Sequence, residues 1–101
     1  MGKPRLRLVW SPEAEEDLIS IWRYGSEEWA PSVADEHEQA SWRACNRLLE
    51  NLELGRPRQE LAADLRSILV DPHVVFYRIT PTAVEIVRLV HQHEDVTAIF
   101  H

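Results

Sequence analysis

The sequence predicts an α+β domain built from an N-terminal strand, an antiparallel helix hairpin and a three-stranded antiparallel C-terminal meander. Three observations carry this expectation. Apolar residues in the first half recur at helical spacings, the second half is dominated by β-branched and aromatic runs, and the breaks between these runs are short. With 101 residues, 45% of them hydrophobic, the chain supports one domain spanning 1–101 and little more. A charged fraction of 28% is that of a globular rather than a disordered chain.

Arg5-Leu6-Arg7-Leu8 alternates polar and apolar residues and leads through Val9-Trp10 as a strand. Ser11-Pro12-Glu13 then announces a helix. Serine is a favoured N-cap, proline fits the first helical position, and Glu13, Glu15, Glu16 and Asp17 complement the positive end of the helix dipole. Ala14, Leu18, Ile21, Trp22, Gly25 and Trp29 form its apolar stripe, and Ala30-Pro31 ends it because a residue before proline resists helical geometry. A second helix from about Ser32 carries the stripe His37, Ala40, Ser41, Ala44, Leu48 and Leu49, with small residues that permit close helix approach. A connection of about two residues makes the pair an antiparallel hairpin. His37 on this stripe reads as a hydrogen-bonded core histidine.

Leu54-Gly55-Arg56-Pro57-Arg58 closes the second helix and opens a loop, with a short turn at Leu61–Asp64. Leu65–Val70, Val74–Ile79 and Val84–Val90 are the strands of the meander, punctuated at Asp71-Pro72 and Thr80-Pro81-Thr82. A two-residue loop at Pro81-Thr82 sets Arg78 opposite Glu85 as a cross-strand ion pair. Simple alternation puts Ile86 and Val90 on one face of the last strand, and Val87 and Leu89 on the other. The hairpin covers one face, so the second needs a partner chain or the tail Val96–Phe100.

Composition excludes several classes of function. No apolar run approaches the roughly 18 residues of a membrane-spanning helix. The N-terminus is basic but lacks a long apolar stretch behind it, so a cytoplasmic protein without a secretory signal is expected. Cys45 is the single cysteine, which leaves no internal disulfide or thiolate metal cluster. Eleven basic against seventeen acidic residues give a net charge of −6, spread over both halves, which disfavours autonomous binding to nucleic acid. All basic residues except Lys3 are arginines, a bias that suits fixed ion pairs and protein interfaces and equally suits a general compositional preference. His91, His93 and Asp95 have alternating spacing that a metal could use, but the strand ends here and a contact surface is the preferred reading, with no metal and no cofactor expected.

Several segments carry a family resemblance. Ser11-Pro12-Glu13-Ala14-Glu15-Glu16-Asp17-Leu18 with Ile21-Trp22 resembles the first helix of ParE-type toxins from bacterial toxin–antitoxin modules. Leu54-Gly55-Arg56-Pro57-Arg58 followed by Leu65-Arg66-Ser67 resembles their loop into the sheet. Val75-Phe76-Tyr77-Arg78-Ile79 and Glu85-Ile86-Val87-Arg88-Leu89-Val90-His91, with Asp95 behind, resemble their last two strands. The resemblance spans roughly residues 6–100 and implies the ParE/RelE fold. It further implies a toxin neutralised by a ParD-like antitoxin which, when free, inhibits DNA gyrase and traps cleaved DNA, a system associated with plasmid stabilisation. The related RelE branch instead cuts mRNA in the ribosome.

Cleavage of that kind needs a base, an acid and cations for the phosphate. Arg66, Arg78, His91 and His93, with Arg88, are the available suppliers here. The lysine-rich set and late tyrosine usual in RelE are missing, which favours the ParE reading with no catalytic residue. A degenerate toxin serving only as an antitoxin-binding partner is the third alternative. The expected antitoxin contacts are Trp22, Trp29, Trp42, Arg56, Arg58, Arg66 and Arg88, since Trp and Arg dominate interface hot spots. The expected target contacts are His91, His93, Glu94, Asp95 and Phe100.

Overall fold

The computed structural model describes residues 6–28 and 30–100. Strand β1 (Arg7–Trp10) leads into helix α1 (Pro12–Glu28), and helix α2 (Pro31–Glu50) returns alongside it. The expected start of α1 is present in detail. The Ser11 hydroxyl accepts from Ala14 N at 3.0 Å, and the Ser11 carbonyl accepts from Glu15 N at 3.0 Å. Helix α2 begins with proline in its first turn, where the missing N–H costs nothing. The two helices meet where Gly25 faces Ala34. A methyl group on Gly25 would sit 3.3 Å from the Ala34 Cβ, so this contact relies on two small residues.

Strands β2 (Arg56–Pro57), β3 (Arg66–Val70), β4 (His73–Ile79) and β5 (Ala83–His91) complete a five-stranded sheet in the order β1-β5-β4-β3-β2. The meander β3-β4-β5 is antiparallel as expected, and Arg78 lies opposite Glu85 in the anticipated register. Strand β1 lies parallel to β5, with Leu8 opposite Val84, so the last strand occupies an interior position. The two-residue strand β2 was not expected; it pairs with β3 through Arg56–Ser67 and Pro57–Arg66. The tail forms a short helix, α3 (Val96–Ile99), capped by the Asp95 side chain.

One expectation about facing is corrected. The β4–β5 register slips between Phe76 and Tyr77: Tyr77 opposes Ile86 while Phe76 opposes Arg88, leaving Val87 as an extra residue. The bulge places Leu89 with Ile86 in the hairpin-side core, and Val90 with Val87 in the other cluster. Helix α1 holds the bulged backbone in place. The Ser11 hydroxyl donates to Val87 O at 2.8 Å, and Asp17 Oδ2 accepts from Leu89 N at 2.9 Å.

The second sheet face is covered in part by the chain itself, with Leu69 of β3 left exposed. Leu65, Phe76 and Val90 form a buried cluster roofed by Leu61, Ala62, Val96, Ile99 and Phe100. The larger core packs Ala14, Cys45, Leu48, Val75, Tyr77, Val84, Ile86 and Leu89 between hairpin and sheet. Burial pushes the Cys45 thiol up to about 12, so it remains a neutral packing group.

Candidate functional site

The outer side of the hairpin is the first candidate surface. Trp22 was expected both in the core stripe and at an interface, and the structure leaves it 39% exposed on α1, where it hydrogen-bonds Asp35 Oδ1 of α2 at 2.9 Å. Helical spacing puts Glu15 and Ile19 on the same side of α1 as Trp22, and Gln39 and Trp42 on the same side of α2 as Asp35. Ile19 is 56% exposed and Trp42 41% exposed. The Trp42 ring leans on Trp10 of β1 with centroids 4.9 Å apart. Indoles thus run from the α1–α2 seam to the sheet edge, among acidic side chains. Trp29 lies outside the described residues.

The arginines are largely engaged within the fold. Arg88 grips Asp17 with two hydrogen bonds, Nε to Oδ2 at 2.7 Å and one terminal nitrogen to Oδ1 at 3.0 Å. Those bonds raise the Arg88 pKa above its ordinary value. Arg66 donates to the Gly55 carbonyl at 2.6 Å, tying the loop after α2 to β3. Arg58 pairs with Glu60 at 2.8 Å, donates to Ser67 Oγ at 3.1 Å, and lies 5.3 Å from the centroid of the Phe76 ring. Arg78 Nε approaches Glu85 Oε1 at 3.7 Å. Arg56 is exposed on β2. Arg58, Arg66 and Arg88, three of the expected antitoxin contacts, each already have oxygen acceptors in their own chain.

The four side chains a ribonuclease would require are not brought together. Arg78 faces the beginning of β5 through Glu85, whereas His91 closes its other end. Six residues of strand separate these positions, about 20 Å at 3.3 Å per residue. Arg66 reaches away to Gly55, and His93 stands beside His91 with ring centroids 5.2 Å apart.

The turn after β5 is a second exposed surface. His91, His93, Glu94 and Asp95 are all exposed there. Glu94 accepts from His91 N at 3.1 Å. Asp95 accepts from the Thr97 hydroxyl at 2.6 Å and from Thr97 N at 3.1 Å, and these bonds hold its carboxyl below the usual range. Phe100, an expected target contact, is half-buried and stacks on Phe76 at 4.8 Å in the second core. The tail therefore closes an apolar face that would otherwise be wet.

A cavity of about 540 Å³ lies between the hairpin and the far end of β4–β5, lined by Asp17, Ile21, Tyr24, His37, His73 and Glu94 among others. His73, only 7% exposed, packs edge-on against His37 of α2 at 5.6 Å and His91 of β5 at 6.1 Å. Burial first, and then those two imidazoles, pull its pKa down to about 4. Sequence reasoning missed His73 because it stands next to a turn proline, and nothing local signals that the register places it beside His91 and under α2. Among the described residues no group of three His, Cys, Asp or Glu side chains is arranged to hold a metal ion. Among the described residues no helix is long and apolar enough to cross a membrane.

Residues 8–96 match the sequence profile described as the ParE toxin of the type II toxin–antitoxin system parDE. Toxin ParE1 of Caulobacter vibrioides is 32% identical over 88 residues, covering 87% of this chain and 91% of that protein. Toxin ParE1 of Mycobacterium tuberculosis is 30% identical over 91 residues, covering 89% and 93%. Among solved structures, a chain of the chromosomal ParDE system of P. aeruginosa superposes with a TM-score of 0.76 at 19% identity, covering 86% of this chain and 96% of that one. A chain of the Staphylococcus aureus YoeB dimer reaches 0.64 at 17% identity, covering 89% and 99%. At such identities these two likenesses speak for the fold alone.

Proposed function

This chain belongs to the ParE toxin family of type II toxin–antitoxin systems, and from that premise we propose that it is neutralised by a ParD-like antitoxin bound along the outer side of the helix hairpin. The observation that carries this reading is the exposed row of Ile19, Trp22 and Trp42, large apolar side chains left uncovered on the outer side of the hairpin. An antitoxin segment that folds on contact, laying an amphipathic helix on this row, buries it.

The charge of that antitoxin segment follows from the surface. The hairpin holds ten of the chain's seventeen carboxylates against three arginines, while the rest of the chain is close to neutral. Asp17 is already paired with Arg88, but Glu15 and Asp35 flank the exposed apolar row. The complementary partner therefore carries lysine or arginine beside its apolar stripe.

We further propose that the free toxin acts in the cytoplasm on DNA gyrase by binding rather than by catalysis. Support comes from the dispersal of Arg66, Arg78, His91 and His93, which share no common cleft for a ribose and a phosphate. His91, His93, Glu94 and Asp95 in the turn after β5 are the target contacts of this reading. The experiment uses purified protein in parallel gyrase and translation assays. Accumulation of cleaved DNA–gyrase complexes is expected. Cutting of ribosome-bound mRNA with gyrase untouched overturns the gyrase reading and leaves the antitoxin reading intact.

A further inference from the structure

We propose that His37, His73 and His91 form an acid-sensitive latch between α2 and the far end of β4–β5. The inference does not depend on the toxin reading. Three imidazoles from three elements meet here: His73 opposes His91 in the β4–β5 register and packs its ring against His37 across the hairpin–sheet interface. The cavity of about 540 Å³ lies directly beside them, so water has a route to the rings while the surrounding core stays closed.

The groups facing His73 decide what a proton does. His37 comes from α2 and His91 from β5; both oppose a charge on His73. Glu94 from the turn after β5 and Asp71 from the β3–β4 turn favour that charge but do not outweigh burial and the two imidazoles. From α1, Asp17 and Tyr24 line the same cavity, and Asp17 is engaged by Arg88 and Leu89 N. In the closed form the three rings pack edge to face, with His73 shielded from water. A proton on His73 puts a cation into a site that is 7% exposed, and the least disruptive relief is to part α2 from the strand ends so that water reaches the ring.

The sign follows from linkage. His73 has its pKa lowered from 6.5 to about 4 in the closed form, so an open form with an ordinary imidazole binds more protons between those values. Closure is complete above that window and is lost as pH falls through it. The closed-to-open ratio is expected to drop about 30-fold between about pH 7.5 and pH 5.

Nuclear magnetic resonance on the intact protein tests this. The His73 ring should remain neutral until close to pH 4.5 and then titrate, while ring-to-ring contacts between His37 and His73 fade on acidification. Contacts between Leu8 and Val84, in the parallel β1–β5 pair, should persist through the same range. His73→Phe keeps a ring at this position and removes the proton site, so its contact to His37 should survive acidification. Titration of wild-type His73 near the free imidazole value overturns the latch, whether or not the variant folds. So does loss of both sets of contacts at one pH, which describes unfolding of the whole domain. Release of His73→Phe at the wild-type pH overturns it as well.

Discussion

Tyr77 is the clearest case of a side chain that fixes a connection. Its hydroxyl accepts from Gly55 N at 2.9 Å and donates to the Leu52 carbonyl at 3.0 Å, pinning the loop after α2 onto the sheet. The approach is so close that a methyl group on Gly55 would lie 2.6 Å from Ser67 O and 2.7 Å from the Tyr77 hydroxyl. Tyr77→Phe leaves a buried N–H without its acceptor and is expected to cost about 1–3 kcal/mol in urea unfolding. Gly55→Ala should cost at least as much, because backbone and a buried ring must shift. Arg88 is the companion case. Both its partner bonds end on Asp17, whose carboxylate also caps Leu89 N, so Arg88→Ala strands a largely buried acid. The expected loss is about 1–3 kcal/mol of stability, with antitoxin affinity of the folded fraction unchanged. An affinity loss without destabilisation would place Arg88 at the interface instead.

The elements divide into those that finish the core and those that face outward. Helix α3 and Phe100 belong to the first group. With Val96, Ile99 and Phe100 packed over Leu65, Phe76 and Val90, truncation after Gln92 uncovers the second core. Phe100→Ala, at a half-buried ring, is expected to lower stability by roughly 1–3 kcal/mol, read as a fall in Tm. The hairpin belongs to the second group. Trp42→Ala and Trp22→Ala are each expected to weaken antitoxin binding by roughly 1–3 kcal/mol while the isolated fold survives, since both indoles stand at the surface. Isothermal titration against the antitoxin measures this, and wild-type affinity in both variants places the interface elsewhere.

Charge acts at the scale of the whole molecule. The excess negative charge sits on the hairpin, and the remainder of the chain carries nearly equal numbers of acidic and basic residues, among them the ion pairs Arg58–Glu60 and Arg78–Glu85. Association with a basic antitoxin segment should therefore be steered over long range, and raising ionic strength should slow association more than it speeds dissociation. Stopped-flow mixing at two salt concentrations separates the two rates; a rate of association indifferent to salt, or rising with it, contradicts a basic partner.

The sequence by itself determined the order of the first strand, the two long helices and the three strands of the meander. Ser11-Pro12 with its acids, the two helical stripes and the β-branched runs are local signals, and local hydrogen bonding and side-chain direction suffice to read them. The Arg78–Glu85 register was legible for the same reason, because a short turn sets the pairing of the residues beside it. Two residues further along β5 that inference failed. The bulge at Val87 is held by Ser11 and Asp17, residues 76 and 72 positions from their partners Val87 and Leu89, and it exchanges the faces of every residue beyond it. Which arginines are free depended likewise on distant acceptors: Asp17 for Arg88, the Gly55 carbonyl for Arg66. The meeting of His37, His73 and His91 comes from the docking of α2 on a sheet edge-end that only the complete β4–β5 register defines. Periodicity reports which side of its own element a residue takes; only the folded chain decides what stands opposite, because contacts between distant segments are set by packing and leave no mark in local spacing.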